Sequence, residues 1–280
     1  MEKLIDFLFT VLGRLPLPVL HKLSDVCGFW AYFFAPKLRR RVAENLRYAQ
    51  LPDHAKMVRR VLSESLKSGT ELAIAWTRSP AYMVSLFHQV EGWSYVEEAI
   101  QQQKGLLLIT PHLGSYDLAG RFISEKLPFD LTAMFRPPKK AYLEAIMTKG
   151  RERGKGHAAP ATAQGVRQVV RALKNHEAVI ILPDQVPKAG EGVIVPFFGK
   201  DAYTMTLAAR LAMMKEVTPL LFVGARLPQG QGFDLHIVPF SGCLNGDKEH
   251  DAALINRNVE DLIRRFPSQY LFSYNRYKMP

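Results

Sequence analysis

The stretch Gly105-Leu-Leu-Leu-Ile-Thr-Pro-His-Leu-Gly-Ser-Tyr-Asp117-Leu-Ala-Gly120 decides how the chain is read. It opens as a short apolar run between Gly105 and Pro111, the pattern of a buried strand. It turns through Pro111, Leu113 and Gly114 and continues as a helix from Ser115. A His and an Asp therefore fall where a strand gives way to a helix, the edge at which α/β sheets usually bind ligands. On one continuous helix His112 and Asp117 would point to different faces. A turn ending at Gly114, with Ser115 near the N-cap, lets them converge. An imidazole beside a carboxylate keeps one tautomer and is made more basic toward a hydroxyl proton. The alternative is that His112 ends a strand and Asp117 merely serves a helix N-terminus.

Working outward, short apolar strands are expected at Asp130–Phe135, Ala178–Leu182 and Pro219–Ala225, with the last paired to Phe233–Val238. Helices are expected at Gly92–Gln103, Leu118–Leu127, Ala163–His176, Tyr203–Lys215 and Asp251–Phe266, and a further short strand at Phe87–Glu91. Gly190–Gly199 reads as an apolar loop, Ala35–Arg78 as a helical scaffold and Tyr270–Lys278 as an aromatic, basic tail. The alternation predicts an α/β fold, a central sheet flanked by helices and preceded by a helical N-terminal region. Polar residues recur at strand ends: Arg136 after Phe135, and Asp184-Gln185 after Ile181-Leu-Pro183. An Arg at a strand end can hold a phosphate or carboxylate through two parallel hydrogen bonds.

Across 280 residues, 37 Lys and Arg oppose 26 Asp and Glu, for a net charge of +11. Such a field favours an anionic partner: nucleic acid, an acidic protein or an anionic membrane surface. Nucleic acid fits poorly, because the basic residues carry no interleaved aromatic platform or reading motif. The basic side chains between 136 and 156 (Arg136, Lys139, Lys140, Lys149, Arg151, Arg153, Lys155) otherwise read as a solvated helix face. Cys27 and Cys243 have neither metal-ligand nor disulfide-framework spacing, which fits a reducing compartment, and no metal site is expected.

The N-terminal segments Leu4–Leu12 and Val19–Phe34 are apolar but interrupted by Asp6, His21, Lys22 and Asp25, and a Pro pair separates them. Neither reaches the roughly 20 clean apolar residues of a spanning helix. No small-residue cleavage site follows, so no removed signal peptide is expected. With Lys37 and Arg39 to Arg41 behind them, residues 1–35 read as an in-plane membrane-associating region and 36–280 as one α/β domain. A buried helical pair with a basic turn is the other reading.

The blocks taken together resemble the lysophospholipid acyltransferase superfamily, and within it the late lipid A biosynthesis acyltransferases of Gram-negative bacteria. The resemblance runs through Arg39-Arg-Arg-Val-Ala-Glu-Asn-Leu46, Val90-Glu-Gly92, the His112-to-Asp117 block, Phe135-Arg136-Pro137, Leu182-Pro-Asp-Gln185 and Val195-Pro-Phe-Phe-Gly199 with Ala208-Ala-Arg210. It implies a glycerolipid-acyltransferase-like fold and acyl transfer from an acyl carrier protein thioester to a hydroxyl of a lipid A precursor, without a cofactor or a covalent acyl-enzyme. His112 would be the base and Asp117 its orienting acid. Arg136, Asp184 and Gln185 would bind substrate, and amides at Gly114 and Ser115 would receive the oxyanion. Acyl carrier protein, an anionic lipid acceptor and the cytoplasmic face of a bacterial inner membrane would be the partners and setting. Asp stands at the acid position where lipid A enzymes usually carry Glu, which leaves a lysophospholipid, aminolipid or glycolipid as alternative acceptors. A non-catalytic basic membrane-binding protein is the remaining reading.

Overall fold

The computed structural model describes residues 2–138 and 141–280, so Lys139 and Lys140 of the basic run lie outside the described residues. Four helices come first: α1 (Glu2–Arg14), α2 (Leu17–Phe34), α3 (Pro36–Tyr48) and α4 (Ala55–Thr77). Leu15-Pro-Leu-Pro18 separates α1 from α2, because Pro removes an amide donor but fits the first helical turn. Then follow α5 (Pro80–Ser85), β1 (Phe87–Glu91), α6 (Trp93–Gln101), β2 (Gly105–Ile109), α7 (Tyr116–Lys126) and β3 (Leu131–Phe135). After them run α8 (Ala141–Arg151), β4 (Gly156–Pro160), α9 (Ala163–Lys174), β5 (Ala178–Ile181), β6 (Gly192–Phe197) and β7 (Lys200–Met205). The chain closes with α10 (Leu207–Ala212), β8 (Val217–Arg226), β9 (Phe233–Pro239) and α11 (Lys248–Arg265).

The main sheet has the order β1-β9-β8-β2-β5-β3-β4. Its middle, β8-β2-β5-β3-β4, is parallel, while β9 runs antiparallel to β8. Parallel strands covered on both faces are expected to be apolar throughout, and every residue of Gly105–Ile109 and Ala178–Ile181 is buried. Leu107, Ile109, Val179 and Ile181 pack on one side with α9 and α11, and Leu106, Leu108, Ala178 and Ile180 pack on the other with α6 and α7. This is the α/β sheet flanked by helices that the sequence predicts.

Three local differences have physical causes. Gly190–Gly199, read as a loop, contains β6, which pairs with β7 through a tight turn at Phe198 (φ 50°) and Gly199 (φ 74°). Pro196 argues against a central strand, and it is accommodated because this ribbon has only two strands. The helix read at Tyr203–Lys215 shrinks to Leu207–Ala212, since Tyr203 and Thr204 belong to the ribbon. Gly156–Pro160, which lacks β-branched residues, becomes the edge strand β4 by pairing with β3.

At the N-terminus, Leu17, Leu20, His21, Ser24 and Gly28 of α2 are buried, and Gly28 lies against Ser63 of α4. The opposite face carries Val19, Leu23, Val26, Trp30 (52% exposed), Phe33 and Phe34 (77% exposed). Among the described residues no helix is long and apolar enough to cross a membrane.

Candidate active site

Register builds the site. In the β2–β5 pair Ile109 stands opposite Ile181, and the Thr110 amide extends the ladder to the Ile181 carbonyl. The two strands therefore end side by side, and each is followed by a residue, a proline and a polar side chain: Thr110-Pro111-His112 and Leu182-Pro183-Asp184. His112 and Asp184, 72 positions apart, meet there: His112 Nδ1 lies 2.8 Å from Asp184 Oδ1, and the His112 amide donates to Asp184 Oδ2 at 3.0 Å. An ionised carboxylate only accepts, so Nδ1 carries the proton and Nε2 presents its lone pair. Burial pushes the Asp184 carboxyl upward. The electrostatic pairing with His112 and two hydrogen bonds from that residue outweigh it and hold the carboxyl below its usual value.

The imidazole is thus oriented by Asp184, not by the acid five positions downstream. Asp117 sits in the first turn of α7, where its Oδ1 accepts from Arg151 Nε at 3.4 Å and Nη2 at 3.3 Å. It shares the cavity wall with His112 without forming a hydrogen bond to it. The sequence reading has the turn ending at Gly114 bring Asp117 to the imidazole, but strand register supplies a carboxylate within hydrogen-bond distance. Between Asp117 and His112 stands Tyr116, whose ring meets the imidazole edge-on at 4.9 Å. Burial and the Asp117 charge raise the Tyr116 hydroxyl well above its ordinary pKa, so it stays protonated.

On the other side of the ring, Gln185 Nε2 lies 3.2 Å from His112 Nε2, donating to the free lone pair. Arg136, at the end of β3, lines the same cavity and donates from Nη1 to the Val186 carbonyl at 3.3 Å. The cavity measures about 630 Å³ and runs from Trp76 on α4 past His112 to Leu207 on α10.

Gly114 and Ser115 play a different part from the one their position suggests. Gly114 has φ +58°, and a Cβ there would lie 2.3 Å from the Gly224 carbonyl oxygen, so only glycine fits. Its amide donates to the Gln269 carbonyl at 3.1 Å, and the Ser115 amide donates to the Gly224 carbonyl at 2.8 Å. Both amides are occupied by the protein and are not available to an oxyanion in this arrangement. They pin the turn instead.

A buried network clamps the same turn from below. Arg226, at the end of β8, donates from Nη2 to the Gly114 carbonyl at 2.9 Å and to Ser68 Oγ at 2.8 Å. It also bonds both oxygens of Glu71, at 2.6 and 2.8 Å, and Glu64 at 3.2 Å. His21 of α2 completes the set at 2.7 Å from Glu71. Burial pushes Glu71 up, but Arg226 and His21 prevail and bring it to about 2.

Behind Asp184 lies the C-terminal tail. Burial, with the Asp184 charge adding to it, pushes the Tyr270 hydroxyl well above its ordinary pKa. Arg276 donates to the Tyr203 carbonyl at 2.7 Å and to Thr204 Oγ1 at 2.6 Å. Of the basic run, Arg151 pairs with Asp117, Arg153 donates to the Arg78 carbonyl at 2.9 Å, and Lys155 donates to the Leu127 carbonyl. These are structural contacts, not a bare solvated face. Tyr116, Arg151, Arg226, Tyr270 and Arg276 were not identified as site residues from sequence. Tyr116 lies inside the central block, Arg151 in the basic run and Tyr270 and Arg276 in the aromatic, basic tail, whereas Arg226 carries no signal.

The arrangement supplies a base with its second nitrogen facing a large cavity, a carboxylate fixed behind it and amide and guanidinium donors beside it. Such equipment is chemically suited to activating a hydroxyl for attack on an acyl group. The bacterial lipid A biosynthesis acyltransferase family model matches residues 4–279. The chain is 28% identical over 271 residues to the lipid A biosynthesis palmitoleoyltransferase of Escherichia coli K12, covering 95% of this chain and 87% of that protein. It is 28% identical over 273 residues to the lipid A biosynthesis lauroyltransferase of the same organism, with the same coverage. A lipid A biosynthesis acyltransferase of Haemophilus influenzae is 25% identical over 278 residues, covering 95% and 84%.

Proposed function

The chain belongs to the bacterial lipid A biosynthesis acyltransferases and is an O-acyltransferase, and from that premise we propose how its residues carry the reaction. Acyl transfer onto lipid A is the family's activity. The finer reading is transfer from an acyl carrier protein thioester to a hydroxyl of a phosphorylated lipid A precursor. The observation that carries it is the His112 imidazole, held at Nδ1 by Asp184, with Nε2 facing a cavity large enough for a lipid chain and met there only by the Gln185 amide.

In this mechanism the acceptor hydroxyl takes the place now held by the Gln185 amide. His112 Nε2 removes its proton as the oxygen attacks the thioester carbonyl. The C–O bond forms, the C–S bond breaks, and the imidazolium returns the proton to the departing thiolate. Asp184 holds the tautomer and stabilises the imidazolium, the part played by the carboxylate in serine hydrolase triads. With the Gly114 and Ser115 amides engaged, the Gln185 side chain is the donor nearest the developing oxyanion. Arg136 holds an anionic group of a substrate. Asp117 keeps Arg151 in the wall and adds negative potential beside the imidazolium.

The surface setting is a membrane. The outward face of α2 presents Trp30, Phe33 and Phe34 to solvent, and Arg39, Arg40 and Arg41 follow at the start of α3. Aromatic side chains beside cations suit an anionic interface, with the helix lying in the membrane plane. The reading places the enzyme on the cytoplasmic face of a bacterial inner membrane.

The test is a mass-spectrometric assay of purified protein in detergent, with acyl carrier protein thioesters and, in parallel, coenzyme A thioesters offered alongside a phosphorylated disaccharide lipid and, separately, lysophospholipids. A new ester on the saccharide lipid is expected. Transfer only to a lysophospholipid would contradict the acceptor, and transfer only from coenzyme A thioesters would contradict the donor.

A further inference from the structure

Four cations face the His112 cavity: Arg136, Arg151, Lys188 and Arg210. Arg151 is paired with Asp117. Among the described residues, no carboxylate lies within ion-pair distance of the other three. Glu191, also in the cavity wall, uses Oε2 to accept from the Lys188 backbone amide at 3.3 Å.

The three unpaired cations lie along one hydrogen-bonded path. Arg136 reaches the Val186 carbonyl, two residues before Lys188. Lys188 and Glu191 close a turn through the Glu191 amide and the Lys188 carbonyl at 3.1 Å. The Thr206 amide donates to the Glu191 carbonyl at 3.3 Å, and the Arg210 amide donates to the Thr206 carbonyl one helical turn further on. Arg136, Lys188 and Arg210 are exposed, so their charged groups meet solvent at the cavity rim. Like charges gathered on one rim repel one another and create a field that draws an anion.

We propose that Lys188 and Arg210 form a phosphate-ester subsite on the cavity rim, separate from the anion contact assigned to Arg136. The inference rests on the acyl-transfer reading and adds to it a second anchoring point for a substrate. A phosphate ester suits the pair because its oxygens accept from several donors, and a guanidinium can bind two of them in parallel. The group could belong to the phosphorylated lipid headgroup or to the phosphodiester of a phosphopantetheine thioester. Both present the same chemistry at the rim.

Equilibrium titration tests the subsite without requiring turnover. The full chain and the double variant Lys188→Gln/Arg210→Gln are titrated with two matched probe pairs. One pair is the phosphorylated disaccharide lipid and its dephosphorylated form; the other is acyl-phosphopantetheine and acyl-pantetheine. The double variant should bind the phosphate-bearing member of one pair about 10- to 100-fold more weakly, with both phosphate-free probes unchanged. The affected pair identifies the source of the phosphate. Raising the salt concentration should shrink the difference between the proteins. Binding of all four probes as by the unmodified chain would overturn the subsite, as would equal weakening of phosphate-free probes in a variant that melts normally. A lack of acyl transfer by the unmodified chain, with phosphate-dependent binding intact, would overturn the acyl-transfer reading and leave the subsite standing.

Discussion

His21 with Glu71 and His112 with Asp184 are nearly the same contact, 2.7 and 2.8 Å between nitrogen and oxygen, put to opposite uses. The first pair is sealed: its side chains are 3% and 2% exposed, and Arg226 bonds both Glu71 oxygens. The second keeps its carboxylate equally buried, at 3%, but leaves the imidazole 17% exposed with Nε2 toward the cavity. A histidine–carboxylate pair is therefore not a site by itself. A second nitrogen facing the cavity, held only by the displaceable Gln185 amide, makes one, while the sealed pair joins α2 and α4 to the turn that carries His112.

The comparison breaks most sharply at the two histidines. His112→Ala should lose about 10³-fold or more in kcat, since it removes the base, and should melt close to the unmodified protein. His21→Ala should do the reverse, keeping substantial turnover per folded molecule but unfolding at lower urea concentration. Equal loss of turnover in both variants would erase the distinction. Next in size is Asp184→Asn, expected to lower kcat by about 10²- to 10⁴-fold through the wrong imidazole tautomer, measured as initial rates at saturating substrate.

On the sealed side, Arg226→Met leaves Glu71 buried without its guanidinium partner and removes one of the two cations paired with Glu64. It should cost about 3–5 kcal/mol in urea unfolding. The same network predicts a pH effect. Glu71 falls from an ordinary 4.5 to about 2 in the folded chain, so its stabilisation is present above pH 4.5 and is lost as pH drops toward 2. The free energy of unfolding should fall as pH drops across that window, and Glu71→Gln should remove this contribution to the slope. The smallest effect belongs to Asp117→Asn, about tenfold in kcat, because it perturbs Arg151 and the local field but not the His112 hydrogen bond. A loss matching that of Asp184→Asn would return the orienting role to Asp117.

Much of this was legible in the sequence, for identifiable reasons. β2 and β5 announce themselves as short apolar runs because parallel strands covered on both faces have no polar side. The strand-end positions of His112 and Asp184 follow from those runs, that of Arg136 from the run at Leu131–Phe135, and the helices from their apolar spacing. What local pattern could not give was partnership. Proximity along the chain pairs His112 with Asp117, whereas strand register brings Asp184 into contact with it. A clue was present in the repeated spacing of Ile109-Thr-Pro-His112 and Ile181-Leu-Pro-Asp184, which carries both polar groups equally far past paired residues. The amides of Gly114 and Ser115 read as free because their acceptors, at Gln269 and Gly224, are distant in the chain. The roles of Arg226, Tyr270 and Arg276 likewise arise from long-range contacts. The β6–β7 ribbon was hidden by Pro196, a residue that speaks against strands except in narrow or edge settings.

The central claim is that His112, oriented by Asp184, is the base for acyl transfer. Its most direct test is the rate of ester formation on the phosphorylated disaccharide lipid by Asp184→Asn, beside the unmodified protein and at equal folded concentration. The account predicts a fall of at least about 10²-fold with substrate binding retained. Turnover within about twofold of the unmodified protein would contradict it.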